Sequence, residues 1–230
     1  MKHVVLSLLA ASAFLLSCGE ATQADRPDET SVEATAATNG LPNGVYDINK
    51  VKPKISWAAS KLTGDGHNGT LYIESGKFKV EDGQVKEGIV IFDMARIEVS
   101  DLTGDSKESL EGHLRSGDFF NVEEHPKAIL NISGISTENS QASLQATLTM
   151  NGEAVDYNIP VQLVEADVPG NVKGKAIGNV KGLAIQGKFD MDRTEHNIVY
   201  RSKTFDDKLD WFIKDDVSLS FSVLGIPGTK

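Results

Sequence analysis

The sequence predicts an all-β fold, a closed antiparallel barrel of about eight strands with one or two short helices. Apolar and polar residues alternate along 144–150, 157–163 and 217–223, which indicates strands with one apolar and one solvated face. Only one segment, near 105–115, has a convincing helical pattern. Many strands with a single helix favour a barrel, since closure of the sheet leaves no exposed strand edge.

The start of the chain predicts export and membrane anchoring. Lys2 and His3 precede an apolar run over 4–16, and Cys18 follows a small residue. This order is typical of a bacterial lipoprotein, so we expect a signal peptide over 1–17 and acylation of Cys18. Ordinary secretion with a chance cysteine is the alternative, but Cys18 is the only cysteine and has no disulfide partner within the chain. The predicted location is the bacterial cell envelope, and no run approaches the ~20 apolar residues of a transmembrane helix.

Residues 18–44 are predicted to form a disordered tether, and 45–228 to form the folded domain. The segment 19–44 contains no aromatic residue and includes Pro27 and Pro42, a composition that cannot bury a core. Removal of 1–17, with Lys2 as its single charged residue, changes the net charge from −10 to −11. So acidic a chain is not expected to bind nucleic acid, and its membrane attachment must come from acyl chains rather than from a basic patch.

Further strands are expected near 54–60, 70–81, 84–99, 127–136 and 172–191. Pro160 interrupts the pattern of its strand because it has no backbone N–H to donate. We therefore expect Pro160 at an edge or a bulge.

The predicted helix lies between strands in the middle of the chain. Asp105 is its expected N-cap, Leu110 and Leu114 share one face, and Glu111 can pair with Arg115 one turn later.

The interior of so small a barrel is either filled by side chains or holds one slender ligand. Leu, Ile, Val and Phe on the inward faces suit a packed core as well as an apolar cavity. The residue types alone leave both arrangements open.

A specific resemblance adds to this interpretation. The segment 113–126 reads His-Leu-Arg-Ser-Gly-Asp-Phe-Phe-Asn-Val-Glu-Glu-His-Pro and resembles the central signature of YceI-like domains. Other segments agree in order, namely 57–70, 88–102, 189–194, 197–200 and 213–217, so the resemblance covers 46–224. Glu195 and His196 depart from the basic or aromatic pair that is more usual after the Asp-Arg-Thr run.

The resemblance implies an extended, lipocalin-like barrel around a polyisoprenoid chain or an isoprenoid quinone, with no established enzymatic reaction. The expected function is therefore non-catalytic binding, storage or transport of a long apolar lipid. The alternative is an envelope protein-interaction module whose barrel is fully packed. A homodimer is compatible with the resemblance, but no feature of the sequence demands one.

Bulky residues in the matching segments are the candidate wall or lid of the cavity. They are Phe92, Leu114, Phe119, Phe120 and Phe189. For Phe119 and Phe120 the alternative is that they only staple the helix to the sheet.

Four further residues are candidates for contacts with a ligand head group. Asp192 and Arg193 could form a buried pair near that group, or a hydrogen-bonded centre that only fixes the fold. Trp57 and Lys61 fit a barrel mouth, or else an ordinary strand with a lysine that extends its ammonium to water.

The sequence argues against an enzyme. Its histidines lack the spacing of a zinc site, and neither a calcium loop, a nucleophile elbow nor a phosphate-binding Gly-rich loop is present. We therefore expect no catalytic residue, no metal, and no cofactor besides the bound lipid.

Overall fold

The computed structural model describes residues 40–49, 54–172, 175–208 and 210–228. The predicted signal peptide, Cys18 and most of the predicted tether lie outside these residues.

Antiparallel strands make up most of the described chain. One α-helix and one 3-10 helix, Arg193–His196, join strands at one end. The elements are β1 (Gly44–Ile48), β2 (Lys54–Ser60), β3 (Gly66–Glu81), β4 (Gln84–Val99), α1 (Gly104–Arg115), β5 (Lys127–Glu138), β6 (Gln141–Met150), β7 (Glu153–Val172), β8 (Lys175–Asp192) and β9 (Asp216–Pro227).

The sheet closes into a barrel of eight strand positions. Each strand from β3 to β9 pairs with its neighbour in the chain, while β1 and β2 both pair with β3 on one side and β9 on the other. The two short strands therefore occupy successive halves of one position. The predicted fold, an eight-stranded antiparallel lipocalin-like barrel, is confirmed.

The first strand was not predicted. β1 contains an inward-facing Tyr46 and Ile48, but only five residues, too few for alternation to be detected. Packing begins still earlier, since Leu41 is buried and the N–H of Gly40 donates to the Glu165 carboxylate at 3.2 Å.

The two ends of the barrel differ. At the tight-turn end, β3–β4 and β5–β6 are joined by Asp82-Gly83 and Asn139-Ser140, in which both residues have positive φ, as in the hairpin turns that match strand twist. At the opposite end, here called the helical end, lie α1, the 3-10 helix and the long connections 116–126 and 197–215.

Helix α1 packs on β4, but its start differs from the prediction. Thr103 is the N-cap, and Asp105 lies within the first turn. A carboxylate there still interacts favourably with the helix dipole, although it does not cap. The predicted pair forms, with Arg115 Nη2 3.9 Å from Glu111 Oε2, and Glu111 also accepts a hydrogen bond from the N–H of Val99 at 2.9 Å.

Pro160 marks a split in the barrel wall. Pairing of β7 with β8 stops at Val161 and Gly187, whereas β7 pairs with β6 along its whole first half. The Pro160 carbonyl faces Gly187, so the missing proline N–H is also on the side of β8. The proline thus occupies a local edge, even though β7 is a central strand.

No helix in the described part of the chain is long and apolar enough to cross a membrane.

The tight-turn end depends on a glycine in β9. The ring of Phe78, stacked on Tyr46 with centroids 5.4 Å apart, lies directly over Gly225, where a Cβ atom would overlap it. We expect Gly225→Ala to lower the free energy of unfolding by about 1–3 kcal/mol in urea titrations, because a packed ring would have to move. The matched control is Gly112→Ala on exposed α1, where nothing lies within 4 Å of the new Cβ and a gain of up to about 1 kcal/mol is expected. Equal behaviour of the two variants would contradict this account.

Candidate functional site: an apolar cavity in the barrel

The barrel is not solid. Its interior contains a cavity in which the centre of a water-sized sphere can reach about 150 Å³. One water needs only about 10–15 Å³ on this measure, so the unfilled space is many times larger than a packing defect. The lining side chains are aliphatic, Met or Phe, with Trp57 and Arg193 as the exceptions. Such a surface can hold an apolar molecule but offers almost nothing to a polar one.

The cavity runs along the barrel and is closed at the tight-turn end. Ile48 and Phe78 line it towards that end, and Ile198 and Ile213 line it at the helical end. Beyond Phe78, the buried side chains of Tyr46, Val80 and Leu183 fill the interior. The tight-turn end is therefore closed to a ligand.

Two of the predicted wall residues lie in the middle of the barrel. Phe92 in β4 and Phe189 in β8 both line the cavity and are only partly buried. Phe189 also packs against Tyr157, with ring centroids 5.4 Å apart, across the split between β7 and β8.

The helix and the connection after it contribute the other three wall residues. Leu114, Phe119 and Phe120 line the cavity at the helical end. Phe119 in addition contacts the rings of His113 and Tyr200, at centroid distances of 4.9 and 5.3 Å. The two roles considered for Phe119 are thus compatible, since its ring both joins α1 to the connection 197–215 and faces the cavity.

Arg193 lies beside the cavity as a hydrogen-bonded centre. It is only 2% exposed, and its guanidinium donates to the carbonyls of Ile198, Ile213 and Lys214. Nη2 lies 3.2 Å from the Asp215 carboxylate. Burial lowers the pKa of Arg193, and the negative charge of Asp215 opposes that shift.

The predicted pair of Asp192 and Arg193 does not form. Asp192 ends β8 and Arg193 begins the 3-10 helix, and the guanidinium pairs with the Asp215 carboxylate rather than with that of Asp192. Asp192 instead accepts hydrogen bonds from the N–H and hydroxyl of Thr194, at 2.8 and 2.6 Å, and caps the 3-10 helix.

Trp57 lines the cavity, but Lys61 does not. The Lys61 side chain is exposed, with its ammonium 5.4 Å from the centroid of the Trp211 ring. Lys61 belongs to the outer surface of the helical end, where its backbone bridges that of Ile213.

His196, which no sequence motif singled out as a site residue, lies in the split between β7 and β8 on the helical-end side of Pro160. His196 is fully buried, with Nε2 3.0 Å from the Tyr157 hydroxyl and Nδ1 3.3 Å from the Glu153 carbonyl. The carbonyl can only accept, so Nδ1 carries the proton and the Tyr157 hydroxyl donates to Nε2. Burial lowers the pKa of His196 and raises that of Tyr157 to about 12, which keeps both groups neutral near pH 7. The one signal in the sequence for this role was that Glu195 and His196 depart from the basic or aromatic pair more usual in YceI-like domains.

The other histidine pairs are exposed. His67 lies 2.8 Å from the Asp101 carboxylate and His113 lies 3.0 Å from that of Asp118. Among the described residues, no group of three or more His, Cys, Asp or Glu side chains is placed to hold a metal ion.

The fold and the cavity define a class of protein, the closed antiparallel barrel with an internal apolar binding space. The sequence matches the YceI-like domain over residues 46–224, and the chain belongs to that family. No curated protein sequence matches it.

Solved structures agree on the fold. BcnA of Burkholderia cenocepacia is similar with a TM-score of 0.58 and 16% identity, over 77% of this chain and 99% of that one. A domain of Saccharophagus degradans, described as polyisoprenoid binding and implicated in plant cell wall breakdown, has a TM-score of 0.52 and 12% identity, over 80% of this chain and 98% of that one.

The neutral state of His196 predicts a dependence of stability on pH. Below pH 6.5 the folded chain binds fewer protons at His196 than the unfolded chain, whose histidine has a pKa near 6.5. The stability that comes from the neutral His196 is therefore complete above pH 6.5, and it is lost as the pH falls towards the lower pKa of the folded state. We expect His196→Gln to show a smaller loss of unfolding free energy between pH 7.5 and 5.5 than the unmodified chain. Glu153 and Glu195 lie near His196 and favour its charged form. All other titratable groups are the same in the two chains, so the comparison isolates the residue at position 196. An unchanged pH slope would refute the assignment.

Proposed function

We propose that this protein binds a long apolar lipid of the isoprenoid type, a polyisoprenoid or an isoprenoid quinone, inside the barrel without chemically altering it. The observation that carries the proposal is the apolar cavity along the barrel. Membership of the YceI-like family supports it, as does the description of the Saccharophagus degradans domain as polyisoprenoid binding.

The physical case rests on the length of the ligand. Each buried methylene is worth about 0.8 kcal/mol relative to water, so a long prenyl chain is strongly driven out of water. Tyr46 and Phe78 close the tight-turn end and so keep water away from that end of a bound prenyl chain. A carrier of this design would shield a lipid that cannot cross an aqueous compartment alone.

The proposed setting is the bacterial cell envelope, with the protein anchored through an acylated Cys18. Anchoring would hold the barrel at high local concentration beside the membrane that supplies the lipid. The acyl chains would have to supply the attachment, because the whole sequence carries a net charge of −10.

The helical end has the features of a surface that meets a membrane. Its connections expose Leu62 and Phe205, at 52% and 60% of their surface. Beside them, Trp211 has the Arg201 guanidinium 4.3 Å from its ring centroid and the Lys61 ammonium at 5.4 Å. Aromatic rings with adjacent cations are suited to the boundary between acyl chains and headgroups. We therefore propose that the helical end is the face that exchanges lipid with the bilayer.

The alternative, an interaction module with a fully packed barrel, has no specific support in the described residues. The unfilled volume beside Phe92 and Phe189 is difficult to reconcile with it.

A direct test is mass spectrometry of an organic extract of the exported protein, purified without detergent as the Cys18→Ser variant, which cannot be acylated. We expect a stoichiometric prenyl lipid, and we expect Phe92→Asp to reduce lipid occupancy by at least about tenfold, since a carboxylate in this lining has no partner. Absence of lipid after exposure to native membrane lipids would refute the proposal.

The matched control for that variant is Ile91→Asp. Ile91 precedes Phe92 in β4 but does not line the cavity. It should lower occupancy little, and circular dichroism should show a folded barrel for both variants. Similar losses in both would mean that the charge disturbs the strand rather than the ligand.

If the helical end exchanges lipid with the bilayer, substitutions on its surface should change the rate of lipid transfer. The double variant Leu62→Asp and Phe205→Asp should slow the transfer of a fluorescent prenyl lipid from vesicles several-fold, while the amount bound at equilibrium stays the same, because neither residue lines the cavity. Val45→Asp is the control, since Val45 is 47% exposed but lies towards the tight-turn end. An equal slowing by Val45→Asp would remove the helical end from this role.

A further inference from the structure

The chain enters the barrel at the tight-turn end. The N–H of Gly40 donates to the Glu165 carboxylate at 3.2 Å, and Leu41 is buried in the core. The side-chain oxygen of Asn43 accepts a hydrogen bond at 2.8 Å from the N–H of Asp82, which lies in the turn between β3 and β4. These contacts fix the point on the barrel to which the preceding part of the chain is attached.

The surface proposed to exchange lipid lies at the other end. Gly44 pairs with Val80 and Ser60 pairs with Gly66, so the two ends of the first strand position are 14 residues apart along β3. At about 3.3 Å per residue and a strand tilt of about 40°, this corresponds to about 35 Å along the barrel axis. The exposed Leu62 follows Ser60 at the helical end. Anchor and exchange surface are therefore attached to opposite ends of the barrel.

The length of chain before Gly40 limits how the anchored barrel can face its membrane. Gly40 lies 22 residues after Cys18, the proposed site of acylation. A disordered chain of that length spans about 26 Å on average and about 75 Å at full extension. To set the helical end down on the anchoring membrane, the barrel must invert and the tether must extend over the length of the barrel. The average span is too short for that.

A bilayer on the far side meets the helical end without any extension of the tether. The exposed Leu62 and Phe205, with the Trp211 ring beside the Arg201 guanidinium, suit the boundary between acyl chains and headgroups. The surface is thus of a kind that meets a membrane, and it faces away from the membrane that holds the anchor.

We propose that the anchored protein exchanges lipid chiefly with a second membrane, opposite the one that carries its acyl chains. This inference rests on the proposed function and on acylation of Cys18, and it gives that function a direction. The anchoring membrane supplies lipid only when the tether extends, whereas the second membrane contacts the helical end directly.

The test couples the mature chain, from Cys18 onwards, to vesicles through its only thiol with a maleimide lipid. Uptake of a dansyl-labelled prenyl lipid into the barrel is followed by energy transfer from the tryptophans. Labelled lipid in the anchoring vesicles reports uptake in cis. Labelled lipid in a second, protein-free population of vesicles reports uptake in trans, which increases with the concentration of that population.

Deletion of 20–35 separates the two routes. It places Gly40 six residues after Cys18, and such a chain reaches at most about 20 Å. The helical end can then no longer be set down on the anchoring membrane, so we expect uptake in cis to fall about tenfold and uptake in trans to change by less than about twofold. Insertion of about 20 Gly and Ser residues after Gly19 should instead raise uptake in cis several-fold.

The matched control moves the attachment point. Cys18→Ser combined with Asp207→Cys attaches the same barrel through an exposed position in the connection 197–215, at the helical end. We expect the preference to reverse, with uptake in cis retained and uptake in trans about tenfold lower. Equal preferences for the two attachment points, or uptake in cis that ignores the deletion, would overturn the inference.

The free Cys18→Ser chain distinguishes this inference from the proposed function. If the free chain takes up lipid from the protein-free vesicles and the chain anchored through Cys18 does not, the inference is overturned in favour of a protein partner at the helical end, and the proposed function stands. If the free chain takes up no lipid, both are overturned.

Discussion

The guanidinium of Arg193 places a positive charge in a part of the barrel where water has almost no access, and the helical end is built around it. Its hydrogen bonds to Ile198, Ile213 and Lys214 fix both ends of the connection 197–215, and Asp215 supplies the balancing charge. Removal of one partner would leave a buried charge uncompensated, which costs several kcal/mol. The same connection supplies Ile198 and Ile213 to the cavity wall, so the shape of the cavity at the helical end depends on this one centre.

The split beside Pro160 is likewise held together by side chains from several elements. Pairing of β7 with β8 ends next to Pro160, which cannot donate towards β8, and the segments 153–160 and 188–192 are joined by side chains instead of a ladder. Tyr157 contacts both Phe189 and His196 there, and Asn151 and Asn197 add hydrogen bonds to the His196 carbonyl and the Glu153 carboxylate. This part of the wall therefore depends on side-chain contacts and not on backbone hydrogen bonds between β7 and β8.

The sequence predicted the long alternating strands, the helix and the aromatic wall because each depends on local period or on a specific motif. It could not predict which residues Arg193 bonds, since Asp215 and Ile198 are brought to it by closure of the barrel rather than by spacing. Adjacency suggested Asp192 instead, whose carboxylate caps the 3-10 helix through hydrogen bonds from Thr194. The sequence also could not predict the cavity itself. Apolar residues such as Phe92 and Leu130 occur both in packed cores and on cavity walls, so their type does not distinguish the two.

An unfilled cavity changes the energetics of lipid exchange. Empty volume in a protein interior costs about 24 cal/mol per Å³, so 150 Å³ corresponds to about 4 kcal/mol of packing that the empty barrel lacks. A prenyl chain gains little by leaving a bilayer for another apolar medium, because both exclude water. It gains from a narrow wall of fixed side chains such as Phe78, Phe92 and Phe189, whose dispersion contacts are denser than those of fluid acyl chains. Selectivity for a branched chain of matching width therefore follows from the rigidity of the barrel. A lipid that fits also raises the free energy of unfolding, because it binds the folded protein and not the unfolded one.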